Sequence, residues 1–121
     1  PGDWTYRQQA NASVSQFGVA GDAATLTLRC DFATRRIDLV RAGVAPGNPP
    51  MTITTTSMTR SVPTAPDASS RGMATTLAGN DPLLDAMGYS RGRFIIRQAG
   101  LPTLVVPAWP EIERVTEDCR K

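Results

Sequence analysis

Two cysteines, Cys30 and Cys119, stand 89 positions apart in a chain of 121 residues that contains no histidine. Without histidine the pair cannot complete a four-ligand zinc site, and so wide a separation is not a CxxC redox motif. Two readings remain, a structural disulfide or two buried thiols. Both cysteines fall where an apolar pattern turns inward. Cys30 ends the alternating run Thr25-Leu26-Thr27-Leu28-Arg29-Cys30, and Cys119 follows Ile112 and Val115 at helical spacing. The disulfide is the reading adopted. Closing so long a loop stabilises a fold by about 4 to 5 kcal/mol in the chain-entropy picture. Such a bond persists in an oxidising compartment, which makes the expected location periplasmic or otherwise extracytoplasmic.

A hydrophobic fraction of 40% and a charged fraction of 20% are those of a chain that folds, and residues 1–121 are the size of one domain. Thirteen basic and eleven acidic residues leave a formal charge of +2, too weak a field to predict nucleic-acid binding. Twelve of the thirteen cations are arginine and the one lysine is Lys121, a bias of GC-rich coding that reads as bacterial. No apolar run approaches the ~20 residues of a transmembrane helix. A chain beginning at Pro1 is what removal of a signal segment would leave, so the expected object is the mature region of an exported protein.

The order of apolar and turn residues predicts a mainly β fold, an antiparallel β-sandwich or a partly open β-barrel. Strands are expected over Asp3–Gln8, Ala12–Val19, Ala24–Cys30, Arg36–Arg41, Met51–Thr56 and Gly72–Leu77, followed by a hairpin of Arg91–Gln98 with Leu101–Val106. The Ser, Pro, Thr and Asp-rich stretch from Arg60 to Arg71 reads as a long mobile connection or a loosely paired edge. A short helix is expected near 82–87, with Asp81 as N-cap, Pro82 in the first turn and Gly88 ending it in the left-handed conformation. A second helix is expected near 110–120, opened by Pro110, with Ile112, Val115 and Cys119 on one face.

The missing histidine also removes Ser-His-Asp and Cys-His nucleophile pairs, and no Gly-rich phosphate loop with Lys-Ser or Lys-Thr occurs. Chemistry would fall to carboxylates. Asp81 and Asp85 share an i,i+4 spacing and could share a proton, although capping and solvent exposure explain them as well. Glu113, Glu117 and Asp118 lack any calcium-loop spacing and read as a solvated helix face. No catalytic residue, metal site or cofactor is assigned. Asn11-Ala12-Ser13 matches a glycosylation sequon that carries little weight in so short a motif, and Trp4 and Trp109 read as packing residues.

The most unusual string is Tyr89-Ser90-Arg91-Gly92-Arg93-Phe94, with Arg97 farther along. Spacings of two and four put Arg91, Arg93 and Arg97 on one face of a strand with Ile95, and Phe94 and Ile96 on the other. Such a stripe could grip an anionic partner through its planar forks. It could equally pair with Asp38, Glu113 and Glu117 as ordinary surface.

The segment Asp81-Pro82-Leu83-Leu84-Asp85-Ala86-Met87 with Ser90-Arg91-Gly92-Arg93-Phe94, then Leu101-Pro102-Thr103-Leu104 and Trp109-Pro110-Glu111-Ile112 through Glu117-Asp118-Cys119-Arg120, resembles small uncharacterised bacterial exported proteins. The likeness covers about the last 40 residues and implies an exported domain with no assigned reaction. The function expected is therefore a non-catalytic extracytoplasmic β domain that binds a protein or envelope component, by a sheet edge or the Arg91/Arg93/Arg97 face. The alternative is a carboxylate-dependent enzyme acting on glycans.

Overall fold

The computed structural model describes residues 2–120. In chain order these form β1 (Asp3–Gln8), β2 (Ala12–Gly18), β3 (Leu26–Asp31), β4 (Arg36–Ala42), β5 (Met51–Thr54), β6 (Thr59–Val62), β7 (Ala65–Pro66), β8 (Gly72–Ala78), α1 (Pro82–Gly88), β9 (Arg93–Gln98), β10 (Leu104–Pro107) and α2 (Glu111–Asp118). The strands make two antiparallel sheets, ordered β1-β2-β3-β4-β8-β7 and β10-β9-β5-β6. Neither sheet closes into a barrel, and the two antiparallel sheets are consistent with the expected sandwich.

Alternation decides what lies between the sheets. In β3, Leu26, Leu28 and Cys30 are buried while Thr27, Arg29 and Asp31 are partly exposed, and the register sets Leu28 opposite Leu39 and Cys30 opposite Ile37. The second sheet answers with Met51, Ile53, Phe94, Ile96 and Val106. Leu83, Leu84 and Met87 of α1 and Ile112 and Val115 of α2 join the same core. On one flank, Trp4 Nε1 donates to the Pro107 carbonyl at 2.7 Å and ties β1 to β10. On the other, the chain crosses from β6 to β7 through Pro63-Thr64.

Both helices sit at one end of the sandwich, where β3 and β8 finish and β4 and β9 begin. Pro82 opens α1, and Asp81 caps it by accepting from Leu83 N at 2.9 Å. α2 lies across β1, β2 and β3 and against α1. Ser15, buried on β2, donates to the Glu111 carbonyl at 2.8 Å, and the Tyr6 hydroxyl donates to Asp118. Arg35 Nη1 reaches the Asp118 carbonyl at 3.0 Å, placing a cation at the negative end of the helix. The covalent tie is Cys30–Cys119, with Cα atoms 5.7 Å apart, inside the range a disulfide spans without moving backbone.

Of the two readings of Arg60 to Arg71, the paired edge describes it: β6 and β7 are edge strands of the two sheets, pairing with β5 and β8, and Val62 is buried. The β5–β6 turn is built without glycine or proline, because Thr55 Oγ1 accepts from Ser57 N at 3.2 Å and Met58 N at 3.1 Å. Gly88 stays helical, and Tyr89 is the C-cap with φ −103°. The Glu113 side chain of α2 packs closely against Gly88, so a Cβ there would have to displace it. In β9 the ladder starts at Arg93, not Arg91.

Breaking Cys30–Cys119 by the double change Cys30→Ala, Cys119→Ala is expected to cost about 4 kcal/mol of unfolding free energy, the loop-closure contribution of so long a separation. Urea titration of the two proteins checks this; equal midpoints and slopes would remove the bond from the stability of the fold.

Candidate functional site

The second sheet turns one face to the core and the other to solvent. Its outer face carries Thr52 and Thr54 from β5, Thr59 and Ser61 from β6, Arg93, Ile95 and Arg97 from β9, and Val105 from β10. Register aligns them in rows: Thr54 lies between Ile95 and Thr59, and Thr52 between Arg97 and Ser61. Thr52 Oγ1 and Ser61 Oγ share a hydrogen bond of 2.7 Å. Arg93 and Arg97 are four residues apart on one strand, about 14 Å by strand rise.

Arg91 precedes the strand, in a turn that is fastened on both sides. Ser90 Oγ donates to the Arg93 carbonyl at 2.6 Å and accepts from Thr56 N at 3.1 Å, and Arg91 N donates to Thr56 Oγ1 at 3.3 Å. On the other side Ala108 N donates to the Gly92 carbonyl at 3.1 Å. Gly92 has φ +77°, a conformation that a side chain would strain. Arg91 and Arg93 consequently line one cleft of about 290 Å³ with Thr54, Thr55, Thr56 and Ile95. Tyr89, 72% exposed, and Trp109, 38% exposed, stand on the segments that flank this turn.

The arginines expected to share a face do so for Arg93 and Arg97, and Arg91 joins Arg93 through the turn. Their alternative partners are engaged elsewhere. Asp38 accepts from Thr76 Oγ1 at 2.8 Å, Glu117 lies 3.7 Å from Arg120, and Glu113 packs against Gly88. Among the described residues no carboxylate comes within ion-pair distance of Arg91, Arg93 or Arg97. The cause is visible in the chain: no acidic residue occurs between Asp38 and Asp67 or between Asp85 and Glu111, and the strands of the second sheet come from those two intervals. That gap was the sequence signal for the site, and it gains meaning only when β5 and β9 are known to be neighbours.

Asp81 and Asp85 are each engaged by a different arginine. Arg60 grips Asp81 with both nitrogens at 2.6 and 3.0 Å, and Arg120 grips Asp85 likewise at 2.9 and 3.0 Å. Burial alone would raise the Asp81 carboxyl, but Arg60 and the Leu83 N–H outweigh it and hold it below the ordinary carboxylate range. Glu113 behaves oppositely, pushed up by burial and by the neighbouring Asp85. No group of His, Cys, Asp or Glu among the described residues is arranged to hold a metal ion.

One buried cation was not anticipated as such. Arg41 follows Ile37 and Leu39 on the inward parity of β4 and is 1% exposed, at the end of the sandwich away from the helices. Its Nη2 donates to the Pro102 carbonyl at 2.8 Å, and burial lowers its pKa. Nearby, Gln98 Nε2 donates to the Pro49 carbonyl at 2.7 Å and to Thr64 Oγ1 at 3.0 Å, closing that end with polar bonds. Sequence parity alone was sufficient to place Arg41 inward.

Comparison with protein-family models, with curated proteins and with solved structures finds no match for this chain. No helix among the described residues is long and apolar enough to cross a membrane.

Asp81→Ala is expected to lower stability at pH 7 by about 1 to 2 kcal/mol through loss of the helix cap. Because the folded carboxyl is held below its unfolded value, its contribution is present above about pH 4 and is lost as pH falls through the folded value. Denaturation followed from pH 7 to pH 2 should therefore show a shallower acid loss in the variant; parallel curves would contradict the assignment.

Proposed function

We propose that this chain is a non-catalytic extracytoplasmic binding module that recognises an anionic protein or envelope component through the outer face of the second sheet. The observation that carries the proposal is the acid-free face on which Arg91, Arg93 and Arg97 lack carboxylate partners among the described residues. A guanidinium already locked in an internal ion pair would have to break it to bind a ligand, whereas these three offer their forks at no such cost. The hydroxyl-bearing strands β5, next to β9, and β6, beyond it, add donors without adding negative charge.

Net charge argues the same way on a smaller scale. The whole chain is nearly balanced, but its acids are concentrated in α1, α2 and the first sheet. Local segregation can orient a weakly charged protein toward an anionic surface, with an attraction that salt screens within about 8 to 10 Å. The extracytoplasmic location rests on the disulfide, which a reducing compartment would not preserve. The aspartates of the enzymatic alternative are both occupied by arginine, so no observation favours that reading.

Recovery of a partner from an envelope extract is expected to fall about tenfold with Arg91→Ala, Arg93→Ala in one chain, and to fall similarly for the unaltered protein when salt is raised from 0.1 to about 0.5 M. Identical recovery by the altered and unaltered proteins would remove this face from the function.

A further inference from the structure

Within the arginine face, the cleft at the β5–β9 end has a donor set that specifies its ligand more narrowly than charge does. Arg91 and Arg93, on either side of Gly92, both line it, so two guanidinium-bearing side chains border the same space. Thr56 Oγ1 already accepts from Arg91 N at 3.3 Å, and Thr54 Oγ1 accepts from Thr59 Oγ1 at 3.5 Å, so each hydroxyl keeps its own hydrogen to donate. No acidic side chain lines the cleft. The wall is held before any ligand arrives, because buried Ser90 joins Thr56 N to the Arg93 carbonyl at 3.1 and 2.6 Å.

Such a lining combines several donors with no carboxylate among its named side chains. A planar carboxylate presents two oxygens in one plane and is satisfied by a single fork. A phosphate monoester presents three terminal oxygens in a tetrahedral spread and a charge approaching −2 at neutral pH, and it can take both forks and the two hydroxyls together. We infer that the Arg91/Arg93 cleft binds a phosphate monoester, carried on a sugar or on a lipid headgroup. This inference rests on the anion-binding reading of the same face and names the chemistry of its ligand.

The test uses the oxidised full chain and the arginine Nε–Hε signals in NMR titrations with glucose 6-phosphate and with glucuronate, alongside sedimentation with phosphatidylcholine vesicles with and without phosphatidic acid. The expected result is saturable shifts confined to Arg91 and Arg93, with glucose 6-phosphate binding at least ~5-fold more tightly than glucuronate. Arg93→Lys, which keeps the charge and loses the fork, is expected to weaken phosphate binding at least ~5-fold, whereas Arg71→Lys, exposed and outside this face, leaves it unchanged. Co-sedimentation with phosphatidic acid vesicles supports a lipid source, and saturation by the soluble ester without co-sedimentation supports a sugar source. Equal affinity for the two soluble probes, or shifts spread evenly over Arg97 and the other exposed arginines, overturns the inference. Should extract recovery still depend on Arg91 and Arg93 in that case, only the phosphate assignment falls; recovery that ignores both residues brings down the reading of the face itself.

Discussion

Cys119 reaches Cys30 only when α2 lies across the inner side of the first sheet, and the rest of the architecture follows from that position. The helix brings Ile112 and Val115 over β1, β2 and β3, where the four-stranded second sheet does not extend to cover them. Polar contacts repeat the same instruction: Ser15 holds the first turn of the helix, Tyr6 and Arg35 its last. Each of those hydrogen bonds contributes about 1 kcal/mol net, less than the entropy a closed 89-residue loop removes from the unfolded chain. The disulfide therefore dominates the set, and α1 is held secondarily, through Glu113 against Gly88 and Arg120 against Asp85.

This arrangement assigns different work to the two sheets. The helical end uses three carboxylates internally: Asp81 caps α1 and holds Arg60, Asp85 holds Arg120, and Asp118 receives Tyr6. The second sheet, drawn from two acid-free intervals, carries Arg93 and Arg97 on its outer face with no carboxylate within ion-pair distance among the described residues. Buried Arg41 is a different case, fixed to the Pro102 carbonyl and closed off from solvent, so it stabilises an end of the sandwich and is no part of the exposed face. Charge on this molecule is thus separated by topology, with structural pairs at one end and an open cationic face on one side.

What could be read from the chain depended on how local the cause was. The inward positions of Cys30 and Cys119 follow from alternation and helical spacing, and the outward parity of Arg93 and Arg97 follows from strand period alone. The β5–β6 hairpin was hidden because its turn uses the Thr55 side chain in place of Gly or Pro. Gly88 was misread because its cause, the approach of Glu113, is 25 positions away on another helix. The site was half legible for the same reason: Arg91 and Arg93 stand together in the sequence, but Thr54 and Thr56 reach them only through the long-range pairing of β5 with β9.

The dependence of the helical end on its covalent tie is most directly tested by amide hydrogen exchange of the oxidised and the fully reduced protein under native conditions. While the bond is intact, α2 is expected to exchange with the slow core of β3 and β4. On reduction its amides should exchange well ahead of those in β5 and β9, as the helix opens without the second sheet. Protection of α2 that is unchanged by reduction, or that is already lost in the oxidised protein, would contradict that dependence.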